Sequence, residues 1–416
     1  LQARKRRLQC RNHVANHWAT FLVSIKGRNY MKKTGILAGA AVALSMLISN
    51  AFADTIKIGV NQPLTGPVAA SGNYVTNGAR IAADQINEKG GVLGKQIELI
   101  IEDNKSNPTE AAAVAEKLIV RDEVSAIMGA WGSTMTLAVM PKLEEYGIPM
   151  VVETSSSGKI TTSGNPWIFR TAPTSDMLAD SFGPFVEKFG MKKAAFLAVN
   201  NDWGHSNTDA YSNMLAKHGV PTVLKESMDA NAVDLSAQLA KIKASDADVL
   251  LVTTEIEQLT LIFKQAFSLR LPQKIIATTT SSTPDQAIEH AGSAADNAYF
   301  TVLFAPWFPD MAPNPEVAKF FAEEWERRDF EFAGRIEGQR GYDAILSIAA
   351  AVEKAGTAEP EAIRKALWEV EVKGVNSNIK FLKQGPEGAE SGQNTANIFV
   401  VQVKGGKVVR PDFASQ

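Results

Sequence analysis

The sequence predicts an α/β protein with parallel-rich sheets in two similar halves, on three observations. Short β-rich runs alternate with helical patterns from residue 55 onward, the order of these runs repeats, and each half places a hydroxyl-rich run behind an apolar strand. Alternation of this kind is the signature of βαβ units and a parallel sheet.

The first half reads as strand "TIKIGVN", helix "TNGARIAADQINEKGG", strand "QIELIIEDN", helix "PTEAAAVAEKLIVRD" and strand "SAIMGAW". The second repeats it with "KAAFLAVNND", "NTDAYSNMLAKHG", "PTVLKESMD", "LSAQLAKIKASD" and "ADVLLVTTE". The correspondence extends to "YGIPMVVETSSSG" and "LRLPQKIIATTTSS": each is a helix end, a proline, an apolar strand and a hydroxyl run. Ser155 to Ser157 and Thr278 to Ser282 are therefore expected on equivalent loops of two lobes. Beyond residue 300 the sequence predicts a Pro-rich connection, three amphipathic helices and a terminal hairpin turning at Gly405-Gly406.

The 53 residues before this pattern contain Lys and Arg but no Asp or Glu. From Met31 they read as a secretory signal: Lys32 and Lys33 form the basic region, Gly35 to Ile48 the apolar region, and Ala51-Phe52-Ala53 an A-x-A cleavage site. The apolar run is shorter than the ~20 residues a spanning helix needs, so cleavage after Ala53 is expected. Residues 1–30 precede a natural start at Met31 and read as an upstream extension.

Removal of this segment takes nine of the 43 Lys and Arg, leaving 34 against 45 acidic residues and a net charge of −11. An acidic mature chain argues against nucleic acid and anionic membranes as partners. The single cysteine, Cys10, lies in the removed part, which excludes a disulfide, a thiol nucleophile or a Cys metal site in the mature chain. No cysteine follows the cleavage site, so a lipoprotein is not expected either. A soluble exported protein is expected.

Enzyme signatures are missing. "SSSGKIT" has the end of a P-loop, but Glu153 stands where the motif needs glycine and Ile160 where it needs Ser or Thr. There is no G-x-S-x-G elbow, no H-E-x-x-H helix and no G-x-G-x-x-G turn after the first strand. His205, His218 and His290 are scattered. Neither a cofactor nor a metal is expected.

The sequence instead suits an anion held by neutral donors. Ligands of open parallel sheets lie beyond the carboxyl ends of the strands. In "AIMGAWGSTMTLAVMPKLEEYG" a strand ends near Trp131, and Ser133 is expected to cap the following helix with its hydroxyl and the first free N–H groups facing a cleft.

With these parts in order, "TGPVAASGNYVTNGARIAADQINEKGG", "GSTMTLA" and "FRTAP" make the chain from Thr55 onward resemble the type I periplasmic substrate-binding proteins of branched-chain amino-acid ABC transporters. The resemblance implies two Rossmann-like lobes with parallel-rich sheets, joined by three hinge strands and closing on a small ligand. The first lobe is expected to comprise residues 54–172 and 304–376, the second 173–303 and 377–416. The chain would act as a monomer that delivers its ligand to a permease and ATPase.

The resemblance also assigns candidate ligand contacts. Ser133 takes the role of the family's carboxylate-binding serine, and Thr154, through its carbonyl, and Ser156 the roles of the following loop, with Ser155 between them. Trp203 falls where an aromatic residue covers the ligand, Trp131 falls on a wall position, and Ser71 of the opening motif joins the set. A family cystine is missing at both ends, with Ser106 and Gly132 at its positions. The family's ammonium-binding glutamate aligns with Thr280, while Glu255 stands at a tyrosine position. Glu255, or else Glu153, is then the carboxylate for a ligand ammonium, unless the ligand lacks an amine. A branched-chain or other hydrophobic amino acid is the expected ligand. An aromatic or aliphatic organic acid, or a sensor role, are the other readings left open.

Overall fold

The computed structural model describes residues 55–280, 283–396 and 398–413. The expected signal segment and its cleavage site lie outside the described residues.

The first half runs β1 (Ile56–Gln62), α1 (Ala69–Glu88), β2 (Ile97–Asp103), α2 (Pro108–Val120), β3 (Ala126–Gly129), α3 (Ser133–Tyr146), β4 (Met150–Val152), α4 (Lys159–Thr162) and β5 (Ile168–Arg170). The second runs α5 (Ser175–Phe182), α6 (Phe185–Phe189), β6 (Ala194–Val199), α7 (Asp202–Lys217), β7 (Thr222–Met228), α8 (Ser236–Ala244), β8 (Val249–Thr253), α9 (Ile256–Leu269), β9 (Lys274–Thr280), α10 (Pro284–Ala291) and β10 (Tyr299–Val302). Helices α11 (Pro315–Arg327), α12 (Arg335–Ala355) and α13 (Pro360–Leu367) follow, then β11 (Val372–Lys373), β12 (Asn378–Ile379), β13 (Leu382–Gln384), β14 (Ser391–Gln393), β15 (Phe399–Lys404) and β16 (Lys407–Val409).

Two seven-stranded sheets result, in the orders β13-β14-β5-β4-β3-β1-β2 and β16-β15-β10-β9-β8-β6-β7. From β2 to β5 and from β7 to β10 every neighbouring pair is parallel, and the two orders superimpose, so the repeat seen in the sequence is a repeat of topology. Strands buried on both faces become continuous apolar runs, as in "AAFLAV" and "VLLVT", whose residues are all buried. Apolar clusters cover both faces of each sheet. Ile58, Val60 and Met128 face α1 and α12, while Ile127, Met150 and Val152 face α2 and α3.

Local chemistry sets several helix starts. Asn107, Thr174, Asn201 and Thr283 each accept a hydrogen bond from a first-turn N–H of α2, α5, α7 and α10, and Pro108 and Pro284 sit at first helical positions. The terminal hairpin forms as expected, with Gly405 and Gly406 at φ +58° and +67° between β15 and β16, values that a tight two-residue turn needs and glycine reaches without strain.

The third passage between lobes differs from its expected place. Strand β14 pairs parallel with β5, and β13 antiparallel with β14, so the chain stays with the first sheet through Gln393 and crosses between β14 and β15 rather than at 376/377. Ser391 and Gln393 are fully buried there. Their polar side chains are satisfied by Asn165 O and by Ala172 O and Asn394 O, which lets a polar segment add to the sheet.

Candidate ligand-binding site

A cavity of about 240 Å³ lies between the two sheets, beyond the carboxyl ends of their parallel strands. One lobe supplies Trp131, Ser133, Thr154, Ser155 and Ser156, and the other Trp203 and Glu255. These seven candidates come from four strand ends far apart in sequence. Ser106 and Gly132, at the positions of the missing cystine, line the same cavity.

Two candidates remain. Ser71, on α1, lines a side cavity of about 10 Å³ with Tyr74, Gln286, Glu337 and Glu255; Val68 and Glu255 line both spaces. Thr280 ends β9, and its side chain lies outside the described residues, as do Ser281 and Ser282.

The start of α3 differs from expectation in one respect. Gly132, at φ +93°, is the N-cap, and Ser133 is the first helical residue. Glycine reaches that φ without strain, which lets the chain turn directly from β3 into the helix. Ser133 Oγ accepts a hydrogen bond from Ser157 N at 3.1 Å, leaving its O–H to donate. The first intrahelical bond of α3 is Thr136 N to Gly132 O, so the N–H groups of Ser133, Thr134 and Met135 precede the helical ladder.

The serine run is built into the scaffold on its inner side. Ser155 Oγ donates to Ala130 O at 3.2 Å and pairs with Thr136 Oγ1 at 2.7 Å. Ser156 O accepts from Ser175 N at 2.8 Å and from Ser175 Oγ at 3.2 Å. Behind the loop, buried Arg170 donates to Ser155 O and Ser157 O at 3.0 and 2.7 Å.

The opposite wall carries charge. Glu255 is the N-cap of α9, and its side chain caps none of that helix's N–H groups. Desolvation raises its pKa well above the usual carboxylate range; Glu337 and Glu257 add to the rise and Arg340 opposes it. Glu337 belongs to the first lobe. It is fully buried, accepts Trp131 Nε1 at 3.2 Å and lies 3.5 Å from Arg340 Nη2. Across the cleft, Asp202 accepts from Thr134 Oγ1 at 3.2 Å and from Lys159 Nζ at 3.3 Å, and Gly158 N donates to Ser206 Oγ at 3.4 Å.

Glu153, the other carboxylate considered for a ligand amine, does not line the cavity. It points into a space of about 20 Å³ near the lobe junction, beside Arg340 and Asp343, and accepts Gln62 Nε2 at 2.8 Å. Burial raises both Glu153 and Asp343 to about 7. Between their ordinary values, 4.5 and 3.8, and about 7 the folded state holds more protons than the unfolded one. Their contribution to stability therefore falls as pH rises through that window and is level above it. Glu153→Gln is expected to raise the thermal midpoint at pH 8 and leave it nearly unchanged at pH 5. Equal gains at both pH values would show that the buried charge is not responsible.

Sequence reasoning did not find Arg170 as organiser of the serine loop, or Glu337 behind Trp131. Pro67, Val68, Met135, Val199 and Gln258, which also line the cavity, were not found either. The first two carried a signal, charged residues in "FRTAP" and "IEGQRGYDAIL" beside apolar ones; the others resemble any core residue.

Residues 55–407 match a family model described as "Periplasmic binding protein". Among curated proteins, the chain is 28% identical over 349 residues to a leucine-, isoleucine-, valine-, threonine- and alanine-binding protein of Pseudomonas aeruginosa, covering 83% of this chain and 91% of that protein. Among solved structures, it is similar to the leucine-binding protein LivK of Thermotoga maritima, with TM-score 0.76, 28% identity and coverage of 86% and 98%. It is also similar to the branched-chain amino acid transporter substrate-binding protein LivJ of Streptococcus pneumoniae in complex with isoleucine, with TM-score 0.73, 25% identity and coverage of 86% and 100%. Two sheets of mostly parallel strands agree with the fold these proteins share.

Proposed function

The chain belongs to the periplasmic binding protein family, and on that premise we propose that it captures a hydrophobic amino acid in the interlobe cavity and delivers it to an ABC importer. One observation carries this reading. The cavity sets neutral hydrogen-bond donors at the start of α3 on one wall, the carboxylate of Glu255 on the other, and Trp131 and Trp203 among its apolar lining. An α-carboxylate suits the first, since a helix N-terminus and its unpaired N–H groups favour negative charge without Lys or Arg. An α-ammonium suits the second, and an aliphatic or aromatic side chain suits the indoles. The names of the relatives, binders of leucine, isoleucine and valine, support the same ligand class.

The remaining parts of the proposal follow from the same premise. Residues 31–53 direct export and are removed after Ala53, the mature monomer is not lipidated, and the permease and ATPase of the importer are its partners. The protein binds and releases its ligand without transforming it.

Titration calorimetry against leucine, isoleucine, valine and phenylalanine, with their des-amino acids alongside, tests the ligand class. Ser133→Ala and Ser156→Ala are each expected to weaken binding by about 1.5 kcal/mol, the value of one hydrogen bond to a charged group. Unchanged affinity in both would remove the α3 start and the serine loop from the site. The organic-acid reading is kept because Thr280 replaces the family's glutamate, and tight binding of des-amino acids alone would select it.

A further inference from the structure

Arg170 ends β5 and is fully buried. Its guanidinium donates Nε to Gln393 Oε1 at 2.7 Å, Nη1 to Ser155 O and Ser157 O at 3.0 and 2.7 Å, and Nη2 to Thr161 Oγ1 at 2.6 Å. All four acceptors are neutral. Burial lowers its pKa to about 9, which still leaves it charged at neutral pH.

A buried cation without a counter-ion is costly unless dipoles or a ligand offset it. Here the offsetting dipoles belong to the loop that faces the cavity. In a trans peptide the C=O and the next N–H point in opposite directions. With Ser155 O on the guanidinium, the N–H of Ser156, a cavity-lining residue, is directed away from it. Arg170 thus aligns the peptide unit with its positive end outward, and its own charge lies one hydrogen bond behind the loop.

We propose that Arg170 is a positioning and specificity-determining residue, which fixes the serine loop as a donor surface and, through its uncompensated charge, selects a ligand carboxylate over a neutral isostere. The inference rests on the proposed function, in which a ligand carboxylate lies against the start of α3 and the serine loop. Gln393 extends the arrangement. Its Nε2 donates to Ala172 O and Asn394 O at 2.7 Å each, so the guanidinium is braced by two of the segments that pass between the lobes.

The test separates charge from shape. Thr161→Asp places a carboxylate beside Nη2 and neutralises the guanidinium while its bonds to Ser155 O and Ser157 O remain. Dissociation constants are measured for L-leucine against L-leucinamide and for 4-methylpentanoate against its amide. Thr161→Asp is expected to raise the carboxylate constants about tenfold, the scale of one charge lost nearby, and leave the amides within about twofold. Arg170→Lys keeps the charge without the fork, and is expected to weaken acid and amide together while retaining much of the preference. Should Thr161→Asp not fold, Gln393→Glu places the carboxylate at Nε and reads the same ratio. An unchanged preference for the acid in the neutralised variant, or equal losses for acid and amide, would overturn the selective role of Arg170 alone. Failure of the wild-type protein to bind either acid would overturn the proposed function and this inference with it.

Discussion

Glu255→Gln is expected to weaken binding of an amino acid by about 2 kcal/mol or more, roughly 30-fold, the range for losing one partner of a buried charge-assisted pair. The des-amino analogue should change far less. Glu255 is the single acidic residue among the described residues that line the main cavity, and an ammonium that loses its water on closure needs such a partner. Proton linkage gives the prediction a second readout. In the empty site, burial and the neighbouring Glu337 and Glu257 favour the protonated carboxyl, with only Arg340 opposing. An ammonium favours the carboxylate, so binding expels a proton wherever the empty site holds one. Affinity for amino acids is then expected to rise with pH, by up to about tenfold per unit for one proton released, until the empty site is itself ionised. Glu255→Gln should flatten this profile. Calorimetry in buffers of different ionisation enthalpy would measure the proton directly. Equal losses for amino acid and des-amino acid, with a pH slope that survives the substitution, would show that Glu255 does not read the amine.

Legibility in the sequence followed from how strongly each feature constrains residue type. Parallel strands buried on both faces admit little but apolar residues, so β1, β3, β6 and β8 were readable and the repeat with them. The family resemblance, applied at those strand ends, places Trp131, Thr154, Trp203 and Glu255 at one cleft, and all four line the same cavity. The errors have equally local causes. Strands β13 and β14, "LKQ" and "SGQ", are three residues long and mostly polar; they join the first sheet by backbone pairing, with side-chain bonds satisfying buried Ser391 and Gln393, and a hydropathy pattern registers neither. Ser133 has the composition of an N-cap, but the preceding glycine can adopt φ +93° and takes that position, so the serine moves one place into the helix. Ser71 belongs to the opening motif, and the course of α1 sets it at the side cavity, which shares Glu255 with the main one. Arg170 reads in the sequence as an ordinary strand-end charge. Only the fold shows that it is fully buried behind the serine loop.

Trp131→Ala is expected to cost the largest share of ligand affinity, about 3 kcal/mol, as for truncating a buried aromatic anchor. The indole is only 4% exposed and packs into the core cluster of the first lobe, yet it also lines the cavity. Removing it takes away an apolar wall and leaves a hole that closure cannot fill. It also removes the indole N–H that Glu337 Oε2 accepts at 3.2 Å, leaving a fully buried carboxylate without that donor. That carboxylate already raises the pKa of Glu255, so the substitution should disturb the amine end of the site as well as the side-chain end. Trp131→Phe separates the two effects. It restores most of the wall without the N–H, and is expected to recover affinity for des-amino acids more fully than for amino acids. Trp203→Ala should cost less than Trp131→Ala, because Trp203 is partly exposed in the first turn of α7. Calorimetry on the three variants, with thermal unfolding to confirm that each is folded, gives the comparison. A Trp131→Ala protein that folds and binds with wild-type affinity would place the ligand elsewhere in the molecule.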